Sequence, residues 1–257
     1  MSVLRSVAIA FSMFSRIPMP KVEWEAANMR YALAALPLIG CVIGAVLFGW
    51  GLLSERLSFG APLFAAGMTL LPLLITGGIH TDGFCDTVDA LSSHASPERK
   101  REILKDSHVG AFAAIATSAY LIAYFALCTE LMRDRRSLLL ACIIPVAARA
   151  ATGFTSISAE LDGSGLLHAM RDAAQHTAVG IALSVWFVLC AAAAVALAPI
   201  AGIGMTAVAV VCAAAVFHMS KRQFGGMSGD ISGYLLRVSE LSMLAALVFI
   251  QKAVAAI

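Results

Sequence analysis

Three aspartates, at positions 82, 86 and 89, stand in the run Thr76-Gly-Gly-Ile-His-Thr-Asp-Gly-Phe-Cys-Asp-Thr-Val-Asp-Ala-Leu91, directly after an apolar stretch. At about 100° per helical residue they fall within an arc of roughly 60° on one helix face. Three carboxylates that close repel one another at neutral pH unless a cation sits among them, and ionisable groups beside an apolar span are costly. Hard oxygen ligands of this kind suit Mg²⁺ or Mn²⁺, which keep several waters and also bind substrate phosphates. Asp82, Asp86 and Asp89 are therefore the candidate metal ligands and catalytic carboxylates. The plainer alternative makes Asp82 a helix N-cap and leaves the other two solvated. His80 precedes the stripe and has no second histidine at i+4, which argues against zinc. Its open readings are general base, phosphate donor or satisfied histidine at a helix end.

Two more segments carry chemistry. In Ser96-Pro-Glu-Arg-Lys-Arg-Glu-Ile-Leu-Lys-Asp106, Ser96 as N-cap and Pro97 at the first helical position start a short helix. Lys105 and Asp106 at its end are candidate substrate contacts, whereas Arg99, Lys100 and Arg101 read as a solvated basic face. In Lys221-Arg-Gln-Phe-Gly-Gly-Met-Ser-Gly-Asp-Ile-Ser-Gly233, the glycines at 225, 226, 229 and 233 let backbone N–H groups approach a phosphate, with Asp230 inside the same loop. Gly225, Gly226, Gly229 and Asp230 form a second candidate half-site. Arg149, inside an apolar stretch, requires an anionic partner or a polar cavity and is a further candidate substrate contact. The loop at 159–167 is polar and glycine-bearing without a specific signature. Together these residues predict metal-dependent chemistry on a diphosphate, in which a cation neutralises phosphate charge and carboxylates position it.

The elements that must hold them are set by composition. The chain has 257 residues, 60% hydrophobic and only 13% charged, with mean hydropathy +0.86; soluble domains run at about 25% charged. Disorder, a small disulfide scaffold and most water-soluble enzymes are excluded. The net charge of +2 carries no nucleic-acid signature. The expected fold is all-α: a polytopic integral membrane helical bundle forming one unit over 1–257. Spans are expected at 31–53, 61–79, 110–132, 138–157, 178–198, 201–219 and 235–257, about seven transmembrane helices of about 20 residues each. The last is interrupted by Glu240 and Lys252. A short apolar run at 6–15, stopped by Pro18, predicts an N-terminal interfacial or re-entrant helix. With seven crossings, 12 Lys and Arg residues fall on one side against 5 on the other. That bias places 1–30, 80–109, 158–177 and 220–237 in the cytoplasm, and with them nearly all the acids.

At these motifs the chain resembles the cobalamin synthase family of adenosylcobinamide-GDP ribazoletransferases. That family carries Gly-Gly-x-His-x-Asp-Gly-x-x-Asp-x-x-Asp, then Lys-Asp-Ser-x-x-Gly, then Gly-Gly-x-x-Gly-Asp. Here they are Gly77 to Asp89, Lys105 to Gly110 and Gly225 to Asp230. Phe11-Ser-Met-Phe-Ser-Arg-Ile-Pro-Met-Pro20 looks like the family's start. Ala90 departs from the glycine usual after the third aspartate. The resemblance implies an Mg²⁺-dependent enzyme of the inner (plasma) membrane, with its active site on the cytoplasmic face. In the implied reaction a ribose hydroxyl of α-ribazole, or of its 5′-phosphate, attacks the cobinamide-side phosphorus of adenosylcobinamide-GDP and GMP leaves. Its partners would be corrinoid and nucleoside substrates and membrane lipid, with oligomerisation left open. Two rival enzymes fit less well. A CDP-alcohol phosphotransferase wants Ala-Arg soon after Asp-Gly, where this chain has Phe84-Cys85-Asp86, and a prenyltransferase wants a second Asp-x-x-x-Asp, which is missing. A cation- or proton-coupled transporter would want acids along the spans rather than in one face's loops.

Overall fold

A computed structural model describes residues 2–106, 108–159 and 165–256; Ser107 of the Lys-Asp-Ser motif and most of the 159–167 loop lie outside them. Twelve helices, and no strand, occur among the described residues. They are α1 (Ser2–Phe14), α2 (Ala26–Met29), α3 (Leu36–Arg56), α4 (Ala61–Thr76), α5 (Ile79–Ser92), α6 (Pro97–Ile103), α7 (Ala111–Glu130), α8 (Arg135–Ser158), α9 (Leu166–Ala173), α10 (His176–Leu197), α11 (Pro199–Phe224) and α12 (Gly229–Ala255). A 3₁₀ turn (Leu33–Ala35) joins α2 to α3. Six helical stretches are long and apolar enough to cross a membrane, or seven if α4 and α5 count as one broken span. The expected helical membrane bundle is therefore the fold.

Local chemistry explains the boundaries. Asp134 caps α8 by accepting from the amides of Arg136 and Ser137 at 2.9 and 3.1 Å. Ser96 caps α6 through the Arg99 amide, with Pro97 at its first position, as the sequence predicts. Gly225, at φ +76°, ends α11 in the left-handed conformation. Small residues bring the spans together. A Cβ on Gly40 would lie 2.7 Å from the Pro145 carbonyl, and one on Gly44 2.6 Å from that of Cys142, so α3 and α8 run antiparallel in backbone contact.

Three expectations are corrected. The span at 61–79 does not run straight: Gly77 and Gly78, both left-handed at φ +66° and +83°, break it, and α5 leaves α4 at 94°. The segment at 80–109 is accordingly not a loop at its start, since α5 packs antiparallel along α12 and against α7. The last span begins at Gly229 instead of 235, because Ser228 caps it by accepting from Ile231. Asp230 therefore sits in the first turn of a helix, and Arg237, counted above as a loop charge, lies in the bundle interior. The N-terminal run does form a short helix, α1, whose Ala8, Ile9 and Ala10 are buried against the bundle.

Candidate active site

The α5 stripe faces the start of α12. A Cβ on Gly83 would lie 2.7 Å from the Asp230 Cα and 2.8 Å from its carbonyl oxygen, and one on Gly233 3.0 Å from the His80 carbonyl. The two helices meet backbone to backbone at these glycines, and Phe84 stacks on Tyr234 with ring centroids 5.5 Å apart. This contact places Asp230 within electrostatic reach of both Asp82 and Asp86. Asp82 is exposed and Asp86 half-buried. Neither carboxylate has a hydrogen bond or ion pair among the described residues.

Asp89 is different. Its two oxygens accept the backbone N–H groups of Gly110 and Ala113, the latter at 2.9 Å. Upstream of Gly110, α6 docks on the end of α11. Buried Lys100 donates to the Gln223 side chain, and Arg101 Nη1 donates to the Phe224 carbonyl at 2.8 Å. The helix read as a solvated basic face is thus a bracket between the α5–α7 segment and the glycine loop. Lys105 itself is exposed, with no partner among the described residues. Asp106 turns back on His108, 2.6 Å from its Nδ1 and 3.0 Å from its amide. That side-chain contact, seconded by the amide, holds its carboxyl below the usual range. In the glycine loop, Gly225 and Gly229 are exposed, and buried Gly226 donates its amide to the Ser220 carbonyl.

Beneath the stripe lies a buried cluster of charge. Arg149 Nη1 donates to Glu240 Oε1 at 2.9 Å and to the Pro145 carbonyl at 3.0 Å; Arg237 Nη1 donates to Glu240 Oε2 at 2.8 Å. All three side chains are buried, and together they carry net charge +1. His80, also buried, stacks on Phe14 at 5.8 Å, and both arginines act on it electrostatically. Its Nδ1 has no partner among the described residues.

The model of the cobalamin-5-phosphate synthase family matches residues 6–248. The chain belongs to that family. Relatives named adenosylcobinamide-GDP ribazoletransferase agree along nearly its whole length. One from Lachnoclostridium phytofermentans is 38% identical over 242 residues, covering 94% of this chain and 92% of its own. One from Clostridium perfringens strain 13 is 30% identical, covering 93% and 95%. One from Geobacillus kaustophilus is 30% identical, covering 90% of each chain. No solved structure matches.

Within the family match, the fold brings Asp82, Asp86 and Asp230 to one surface, as their shared sidedness predicts. It separates Arg149 from them: this side chain is fully buried and bound to Glu240. Three residues had no role assigned from sequence. Glu240 is the anionic partner that Arg149 required, and it lies 91 positions downstream. Arg237 was masked by its place beside a basic loop. Arg16 packs its side chain on Gly77, with Cγ 2.8 Å from where a Cβ would stand, and its amide donates to the Ile75 carbonyl at 2.7 Å. The family-like segment Phe11 to Pro20 therefore closes the break between α4 and α5, a contact with no local sequence signal.

Proposed function

We propose that the chain transfers the adenosylcobinamide-phosphate moiety of adenosylcobinamide-GDP to α-ribazole or its 5′-phosphate, releasing GMP. The relatives' name supports the reaction, and the observation that carries the site is the backbone contact of Gly83 with Asp230, which joins two acidic helix starts on one surface. Balance is simple. A ribose hydroxyl oxygen forms a bond to the cobinamide-side phosphorus, the bond from that phosphorus to the GMP oxygen breaks, and the hydroxyl proton passes to a base. His80 is the base we assign, through Nε2, the ring nitrogen that burial does not close off.

The donor set suits Mg²⁺. Asp82 and Asp86 are one helical turn apart and unengaged, and this ion is commonly bound by one or two carboxylates, with waters and substrate phosphates completing its shell. Among the described residues no three His, Cys, Asp or Glu side chains form a ready-made cage, so the substrate itself would supply ligands. Bound there, Mg²⁺ would neutralise diphosphate charge. Lys105, Arg16 and the exposed Gly229 amide would supply the remaining positive charge and N–H donors, the Gly225 and Gly226 amides being taken by the Ser220 carbonyl. Asp230 would orient the acceptor's hydroxyls. We place this face in the cytoplasm of a plasma-membrane enzyme. Moving Arg237 into the bundle lowers the basic excess to 11 against 5 and preserves its sign.

The experiment is a product assay on purified protein in lipid vesicles. Adenosylcobinamide-GDP with α-ribazole and Mg²⁺ should yield GMP and a new corrinoid in equal amounts, and no GMP without the acceptor. Turnover of a CDP-alcohol or prenyl diphosphate, with none of the corrinoid, would overturn the reading.

A further inference from the structure

We propose that Asp89 is a positioning residue rather than a metal ligand: it caps the start of α7 from a neighbouring helix and so fixes the strap that carries Lys105.

The first amides of any helix lack intrahelical partners. A capping box satisfies two of them locally, the amide of the third helical residue by the N-cap side chain and the N-cap amide by the third residue's side chain. The N-cap of α7 is Gly110, which has no side chain, and the third residue is Ala113, which has no polar atom. One carboxylate does both tasks. Asp89 Oδ1 accepts from Ala113 and Oδ2 from Gly110, 21 residues downstream. The geometry demands the glycine: a Cβ there would stand 2.6 Å from both Asp89 oxygens. Ala113 is fully buried, so an amide left unpaired there would be costly. The negative charge also lies at the positive end of a 20-residue helix.

This contact is one end of a strap. At the other end α6 is held to α11 by Lys100 and Arg101, and Ile103 and Leu104 pack against the cluster of Phe224, Met227 and Ile231. Lys105 lies five residues before Gly110, within about 17 Å of fully extended chain. Asp89 thus ties the strap to the helix that carries Asp82 and Asp86. The three-aspartate stripe divides by function: two carboxylates stay free for a cation and substrate, and the third is consumed by architecture. Asparagine at this position has one acceptor oxygen and can hold only one of the two amides.

The catalytic part rests on the proposed transferase reaction; the capping part does not. Hydrogen exchange of the amides at 110–113 should be measured on vesicle-embedded protein, together with steady-state kinetics, for Asp89→Asn and Asp82→Asn. In Asp89→Asn those amides should exchange at least about fivefold faster, the scale of a lost cap. KM for adenosylcobinamide-GDP should rise more than kcat falls, and the Mg²⁺ concentration for half-maximal rate should match the parent's. Asp82→Asn should show the reverse: an increased Mg²⁺ requirement and parental exchange at 110–113. If Asp89→Asn does not fold, Gly110→Ala, which forces a methyl into the same oxygens, should reproduce the exchange and KM effects. Parental protein titrated with Mg²⁺ should show constant protection at 110–113. A raised Mg²⁺ requirement in Asp89→Asn with those amides still protected, or Mg²⁺-dependent protection in the parent, would overturn the proposal. A protein without transferase activity would sink the proposed reaction while the exchange measurements still decide the cap.

Discussion

Gly83 of α5 and Asp230 of α12 are in backbone contact, close enough that a β-carbon on the glycine would stand 2.7 Å from the aspartate's Cα. The separation of the two acidic helix starts is therefore set by the absence of a single methyl group. Gly83→Ala must push α5 from α12, at a cost of about 1–3 kcal/mol for an overpacked contact. The expected outcome is a folded protein with lowered thermal stability and a GMP-release rate reduced about tenfold or more, since misplacing catalytic groups by a fraction of an ångström is expensive. Thermal unfolding and turnover on the same sample check it.

Among the described residues, Glu240 is the only acid paired with the buried Arg149 and Arg237. Removing its charge leaves two guanidinium groups facing each other out of reach of water. Breaking a buried pair this way costs about 3–5 kcal/mol. Glu240→Gln should unfold at markedly lower temperature in detergent, and replacing Arg149, Arg237 and Glu240 together by Met, Met and Leu should recover much of the loss. A single variant as stable as the parent would show that the cluster is solvated by water.

Lys105 and Arg16 come from two different segments, and neither charged head has a partner among the described residues, although the Arg16 stem packs on Gly77. Lys105→Ala should leave stability within about 0.5 kcal/mol, as for surface positions generally, and Arg16→Ala should cost more, through the lost packing. Each should weaken binding of adenosylcobinamide-GDP by about tenfold, the scale of one charge-assisted hydrogen bond. Equilibrium binding with a non-reacting acceptor analogue separates this from an effect on chemistry.

Most of the membrane bundle was legible in the sequence because lipid imposes a simple rule: about 20 apolar residues per crossing. The ends of the spans were less so, since polar residues such as Asp230 and Arg237 read as loop until Ser228 is seen to cap the helix ahead of them. The clustering of Asp82 and Asp86 followed from helical periodicity alone. What periodicity could not show was partnership across the chain. Glu240 looked like an interruption in a weak span, yet it is what makes Arg149 tolerable in the interior. Asp89 looked equivalent to its two neighbours, because a cap supplied to a glycine 21 residues later leaves no local trace. The bend at Gly77-Gly78 had the right residues for a turn, but only its docking with Arg16 and Phe14 gives it a direction.

The central claim is that the aspartates of α5 and the start of α12 act as one site. A double-mutant cycle on GMP release, with Asp86→Asn, Asp230→Asn and the double variant, tests it most directly. Each single replacement should lower turnover by about 100-fold, the scale of a lost catalytic interaction. Groups that act as a unit are strongly non-additive, so the double variant should be about as slow as the worse single one. A loss in the double variant equal to the product of the two single losses would mean that the helices work independently, and would contradict the account.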